Sequence, residues 1–323
     1  MFCENEVLLI GTGMMAVEYA KVLNALNINF TVIGRSAAGC ERFKEITGIT
    51  ALSGGIEKYL KKHPSLDEHS SVIVAVSANQ LFNVNMQLLD SGFKYILSEK
   101  PAGLSKNDIA ALFKTSRDKD AKLYVAYNRR NYASTIKALD IIKEDGGLLS
   151  CNFEFTEWSH MIKELDYPSE VKNKWLLGNS THVIDLAFFV IGMPKAFNSY
   201  SLGKVSWSDC KAVYAGSGIS KKGVLFTYNA NWISPGRWGV EWLTSKHKII
   251  LRPLEKIQVQ ELGSIEAKYL DIDDSLDLKY KPGLYKEVSG FLGLDKDALC
   301  RLKTIEEQYL SMDIYQKISG SQI

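Results

Sequence analysis

The chain has 323 residues, 46% of them hydrophobic and 24% charged, with a formal net charge of +2. That length accommodates two domains with separate cores, and the near-neutral balance excludes a broad electrostatic footprint for nucleic acid or a membrane surface. No run is apolar over the length a bilayer requires, and the five scattered cysteines, Cys3, Cys40, Cys151, Cys210 and Cys300, lack the spacing of a disulfide framework or a zinc site.

A reduced, cytoplasmic setting without a bound metal is therefore expected. The opening MFCENEVLLIGTG carries acids where a signal peptide would carry positive charge, and its apolar run, Val7–Ile10, leads into a glycine motif. Met14, Val17, Val22, Leu23 and Leu26 then recur at helical spacing. Residues 30–33 read as a strand, 38–47 as a helix, 72–76 as a buried strand, 80–91 as a helix and 95–97 as a strand. Ser105 with Asp108 three residues on predicts a capped helix start, the helix running to about Arg117. Residues 123–127 close the series. Strands alternating with helices predict parallel pairing through right-handed crossovers, so residues 1–128 form an α/β domain with a doubly wound sheet.

The pattern changes at residue 129. A helix over 133–144 ends at Gly146 and Gly147, a strand over 148–155 follows, and a polar, aromatic loop extends to about Trp175 before a helix over 181–191. Residues 196–272 give β-type runs with turns and no helices between them, predicting a large, mainly antiparallel sheet. Residues 300–318 form an amphipathic helix. The expected second domain is α+β and spans 129–323.

The motif GTGMMA, residues 11–16, fits G-x-G-x-x-G/A with Ala16 in the third place. Gly11 permits a tight turn, Gly13 lets a pyrophosphate approach the backbone, and Ala16 keeps the helix close to the sheet. The helix start at Met14 and Met15, reached through Thr12, offers amide donors and a partial positive charge. At the end of the second strand, where NAD-binding sheets carry an acid about 20 residues beyond the glycines, VIGRS has Gly34, Arg35 and Ser36. Arg35 can pair a 2′-phosphate in a fork and Ser36 can add a donor, which predicts NADP(H) in preference to NAD(H). The alternative is that Arg35 is a solvated side chain.

YILSEKPAGLS, residues 95–105, ends a strand in Glu99, Lys100 and Pro101. Ligands of a doubly wound sheet bind beyond the carboxyl ends of its strands, so these residues are expected beside the nicotinamide. A lysine there is a point charge able to hold a substrate hydroxyl or alkoxide. Read as spacing alone, a lysine in such a place is more often an ordinary surface lysine than a catalytic one.

The glycine motif, SEKP at a strand end, AYNRR at 126–130 and THVIDL at 181–186, in that order, resemble the Gfo/Idh/MocA family of glucose–fructose oxidoreductases and inositol dehydrogenases over nearly the whole chain. The resemblance implies a Rossmann domain followed by an α+β substrate-binding and oligomerisation domain. It makes Lys100 the active-site lysine, Pro101 a usually cis proline and Glu99 the acid near the nicotinamide ribose. It assigns Ser77, Ala78 and Asn79 to a loop lining the cofactor, and Asn128 to the passage between domains. It makes His182 the general acid/base and Asp185 an acid one turn later on the same helix face.

Two departures weaken the likeness to inositol-type oxidation. Gly178 stands where many members have an aspartate four residues before the histidine, and Phe82 replaces a histidine. Asn179, next to Gly178, can orient an imidazole but cannot compensate an imidazolium charge. Trp158, His160, Met161, Lys163 and Trp175, and Trp232, Arg237 and Trp238 in NWISPGRWGVEW, supply flat rings for sugar faces and a guanidinium for an anionic group, or else simple packing. The implied activity is an NADP(H)-dependent oxidoreductase of a sugar or nucleotide-sugar derivative, as in surface-polysaccharide or sialic-acid-like sugar metabolism, working as a homodimer or tetramer. An NAD-dependent glycosidase of the same fold, an imine reductase and a non-enzymatic cofactor-binding sensor remain open alternatives.

Overall fold

In the computed structural model, which describes residues 6–63 and 70–320, the short branched runs of the N-terminal half form strands with both faces covered. They are β1 (Val7–Ile10), β2 (Phe30–Gly34), β3 (Ala51–Ser53), β4 (Ser71–Val74), β5 (Tyr95–Glu99) and β6 (Lys122–Ala126). They pair in parallel in the order β6-β5-β4-β1-β2-β3. Strand order reverses at β1, which lies between β2 and β4, so the carboxyl ends of β1 and β4 flank the topological switch point. Helix Met14–Ala25 buries Ala16, Val17, Tyr19, Ala20, Val22 and Leu23. Helix Lys106–Asp118 begins in a reciprocal Ser105–Asp108 capping box. The short strand β3 and helix Gly55–Lys62, which buries Ile56 and Tyr59, complete the series beyond the elements expected.

The first unit comprises Met1–Asn128 and also Lys279–Leu310. Residues 279–310, expected in the second domain, group here with the first unit. Helix Leu284–Phe291 contributes Leu284, Val288 and Phe291 to the same core as Ala16, Val17, Ala20 and Leu23. Strand Lys303–Thr304 then pairs antiparallel with β6. That pairing breaks the expected helix over 300–318 into Lys296–Arg301 and Ile305–Ser319.

The second unit comprises Arg129–Leu278 and Ser311–Ile323. Its strands are β7 (Ser150–Glu154), β8 (Pro194–Leu202), β9 (Val213–Ser220), β10 (Leu225–Asn231), β11 (Gly239–Leu243), β12 (His247–Leu251), β13 (Gln258–Glu261) and β14 (Ala267–Tyr269). They order as β14-β13-β12-β11-β7-β10-β9-β8, antiparallel except at β7–β10. Helix Thr181–Ile191 covers the sheet, with the Phe188 ring edge-on to Phe153 and Phe226 at 5.6 and 5.2 Å. The expected loop to Trp175 contains two short helices, Ser159–Glu164 and Ser169–Lys172, anchored by buried Ile162 and Val171. A wide π-helical turn, Leu176–Ser180, then runs directly into Thr181–Ile191.

Cys40, Cys151 and Cys210 are buried free thiols and Cys300 is an exposed one; Cys3 lies outside the described residues. Among those residues no helix is long and apolar enough to cross a membrane.

Candidate functional site

The predicted cofactor residues of the first unit lie at carboxyl ends of parallel strands: Gly11 to Met15 after β1, Gly34 closing β2 with Arg35 and Ser36 beyond it, Ser77 to Asn79 after β4, and Glu99 closing β5 with Lys100 beyond it. Gly11 has a φ of +124°, and a Cβ there would lie 2.2 Å from Ala75 O, so the turn requires glycine. Gly13 differs. It is the N-cap of Met14–Ala25 with no side-chain hydrogen bond to the first turn, and a Cβ there would meet nothing within 4 Å. Uncapped amides facing open space at a helix N-terminus fit a dinucleotide pyrophosphate. Thr12 fills the space under the second strand: a Cβ on Gly34 would lie 2.7 Å from its Cγ2.

Arg35 and Ser36 are exposed. The Ser36 hydroxyl accepts from Gly39 N at 3.1 Å and caps helix Ala37–Thr47, which leaves its own O–H proton available to donate. Ser77 Oγ donates to Asn79 Oδ1 at 2.9 Å, shaping the loop after β4. Asn128 Nδ2 donates to Pro282 O at 2.8 Å, tying the end of the first segment to the returning chain.

Glu99 accepts from Tyr19 Oη at 2.9 Å. Burial raises its carboxyl above the ordinary range, against the lowering by Lys100 beside it and by the Tyr19 hydrogen bond. The Lys100–Pro101 bond is cis, and Pro101 O accepts from the buried Gln308 Nε2 at 3.1 Å. Gln308 carried no signal in the sequence, because its partner is 207 positions away.

In the second unit His182 and Asp185 are buried on helix Thr181–Ile191, and each meets one arginine of the NRRN turn. Arg129 Nη1 is 3.0 Å from His182 Nε2. Arg130 donates to both Asp185 oxygens, from Nε at 2.8 Å and Nη2 at 2.9 Å. Asp185, expected on the helix face of His182, has both oxygens held by Arg130 in a buried, bidentate pair.

Asn179 does not take the imidazole-orienting place expected for it. Its Nδ2 donates to Glu157 Oε1 and Oε2 at 3.0 and 3.1 Å, and Ser180 Oγ donates to Oε1 at 2.7 Å. Glu157 is 2% exposed, and burial pushes its carboxyl up to about 7 despite Ser180, Arg237 and Asn179. Sequence reasoning missed it. A carboxylate stands in this neighbourhood after all, supplied by the chain just beyond β7 rather than by position 178.

Trp158 and Arg237 are exposed while Trp175, Trp232 and Trp238 are buried. Trp232 stacks on Trp207 at 6.3 Å and donates to Phe155 O, so it belongs to the packing. Trp238 lies 6.1 Å from the His182 ring, with Arg129 over it at 5.4 Å and Arg237 over it at 4.7 Å.

Residues 5–127 match the model of the Gfo/Idh/MocA oxidoreductase family, described as an NAD-binding Rossmann fold. Among solved structures, the fold is similar to a UDP-N-acetylglucosamine 3-dehydrogenase from Acidithiobacillus ferrooxidans, at 12% identity and a TM-score of 0.74, covering 98% of this chain and 97% of that one. It is similar to levoglucosan dehydrogenase in complex with NADH, at 17% identity and a TM-score of 0.78, covering 97% and 95%. An NAD-binding oxidoreductase from Klebsiella pneumoniae gives 14% identity and a TM-score of 0.76, covering 98% and 96%. No curated protein matches the sequence.

Proposed function

We propose that this chain, whose residues 5–127 match the model of the Gfo/Idh/MocA oxidoreductase family, is an NAD(P)-dependent member of it and acts with NADP(H) on a sugar or nucleotide-sugar derivative. The observation that carries the cofactor reading is the end of β2, where exposed Arg35 and Ser36 occupy the place of the ribose-binding acid. The sugar reading is supported by the two fold relatives named as sugar dehydrogenases.

When bound, the nicotinamide supplies a hydride donor or acceptor. The chain's own groups do the rest. Gly13 and the amides of the first helical turn bind the pyrophosphate, and Ser77 to Asn79 line the cofactor. Lys100 holds the substrate oxygen as a positive point charge, which stabilises an alkoxide more than a neutral hydroxyl. His182 moves the proton to or from that oxygen. The reaction belongs in surface-polysaccharide or sialic-acid-like sugar metabolism, and the working form is a homodimer or tetramer.

The test is turnover of NADPH and NADH by the full chain against a panel of keto sugars and nucleotide sugars. Lys100→Met and His182→Ala should each lower kcat by about a hundredfold or more while NADPH still binds. A loss below about tenfold in both variants rules out the assignment.

A further inference from the structure

Arg237 follows the turn between β10 and β11, and its surroundings hold it in place without using its donors. Trp158 Nε1 donates to Gly236 O at 3.0 Å, and Arg252 Nη1 donates to Arg237 O at 3.1 Å and to Glu154 Oε2 at 2.8 Å. A Cβ on Gly236 would lie 2.5 Å from Glu154 Oε1 and 2.9 Å from Thr156 Cγ2, so the chain approaches the end of β7 closely here. The backbone on both sides of Arg237 is thus pinned to the end of β7.

The guanidinium lies over two indoles, its Cζ 4.7 Å from the ring centroids of both Trp158 and Trp238. Its ion-pair partner is Glu157, at 3.8 Å from Nη1 to Oε2, which is beyond hydrogen-bond distance. The Glu157 oxygens already accept from Asn179 and Ser180. Arg237 therefore presents a rigid, planar fork whose donors are unspent among the described residues, and its side chain is 44% exposed. A fork pre-ordered on aromatic faces recognises carboxylate and phosphate oxygens with little further loss of freedom. Trp238, one of the two indoles, also borders His182.

We propose that Arg237 is an oxyanion subsite that binds a carboxylate or phosphate of the substrate, one indole removed from His182. The substrate class then narrows from sugars in general to acidic ones, a sugar acid or a phosphorylated sugar. The turnover of such a substrate rests on the oxidoreductase reading above; binding of the anion at Arg237 does not. Where its carboxyl is ionised, above about pH 7, Glu157 acts as the internal competitor, holding the guanidinium by charge in the absence of an external anion.

The experiment titrates the full chain, with and without saturating NADP+, with sodium acetate and separately with sodium phosphate at constant ionic strength. Tryptophan fluorescence is the readout, since Trp158 and Trp238 flank the guanidinium. Wild type should saturate, and the tighter of the two anions distinguishes a carboxylate from a phosphate. Arg237→Met should raise the midpoint by about tenfold or more and Arg237→Lys by less, because lysine keeps the charge and loses the fork. At about pH 8, where Glu157 is ionised, Glu157→Gln should lower the midpoint, a change opposite in sign to any loss of structure. If Arg237→Met does not fold, Arg237→Lys and Glu157→Gln still decide the matter. Equal midpoints in wild type and the Arg237 variants, or no saturation in wild type, overturn the subsite. Arg237-dependent anion binding in a protein that turns over no substrate overturns the oxidoreductase reading and leaves the subsite standing.

Discussion

Arg129 Nη1 lies 3.0 Å from His182 Nε2. A guanidinium has donors only, so the imidazole accepts at Nε2, and the neutral ring carries its proton on Nδ1. Arg129 is itself placed by aromatic faces, with its Cζ 5.8 Å from the Tyr132 ring and 5.4 Å from Trp238. The residue that orients the candidate acid/base is thus a cation from the NRRN turn, where the sequence comparison suggested an aspartate or asparagine just before the histidine. Nitrogen-15 NMR of the imidazole should find Nε2 unprotonated in wild type at neutral pH. Arg129→Met should release that tautomer and lower kcat by about tenfold or more with NADPH affinity unchanged. An Nε2–H tautomer in wild type would show that the contact does not set the proton's place.

Arg35 and Ser36 can be separated by experiment. Arg35→Ala should weaken NADPH binding by about 1.5–3 kcal/mol, the worth of a hydrogen bond to a charged group, and leave NADH binding nearly unchanged. Ser36→Ala is a less clean test, because the same hydroxyl caps helix Ala37–Thr47 and its loss costs about 1 kcal/mol of helix stability. Side-by-side fluorescence titrations with the two cofactors decide the point. Equal affinities for both, unchanged in Arg35→Ala, would remove the NADP preference.

What could be read in the sequence was local. The Gly11 turn, the Ser105–Asp108 box and the strand ending at Glu99 each depend on neighbours a few positions away, and each is present. The return of Lys279–Leu310 to the first unit was not legible, because helix Leu284–Phe291 carries the apolar spacing of any core helix and nothing in it names its partner. The same holds for Glu157. Its neighbours Asn179 and Arg237 come from the π-helical turn and the β10–β11 turn, and only the fold brings them together. The partner of Asp185 was hidden for a related reason: helical spacing puts it on the face of His182 but does not reveal that Arg130 meets it there.

The Arg130–Asp185 pair gives a stability prediction with a sign opposite to that of a substrate contact. Both side chains are buried, at 5% and 3% exposure, and Arg130 also lies over the Phe189 ring at 4.6 Å. Asp185→Ala leaves a buried guanidinium without its carboxylate, which costs about 3–5 kcal/mol. Chemical denaturation should show that loss with or without substrate. A variant that keeps wild-type stability and loses only substrate affinity would restore the role read from sequence.

Glu157 adds a pH-dependent contribution to the stability of the second unit. Burial raises its carboxyl to about 7 in the folded protein from an ordinary value of 4.5. The folded state therefore holds a proton that the unfolded chain releases earlier, so the contribution to stability is complete below about pH 4.5 and is lost as pH rises through about 7. A shift of that size corresponds to about 3 kcal/mol over the window. Glu157→Gln removes the titration while keeping an acceptor for Ser180, so its denaturation midpoint should fall less than that of wild type between pH 5 and about 8. If the two proteins follow parallel curves across that range, the Glu157 carboxylate is already ionised at pH 5 and the Ser180, Asn179 and Arg237 contacts outweigh its burial.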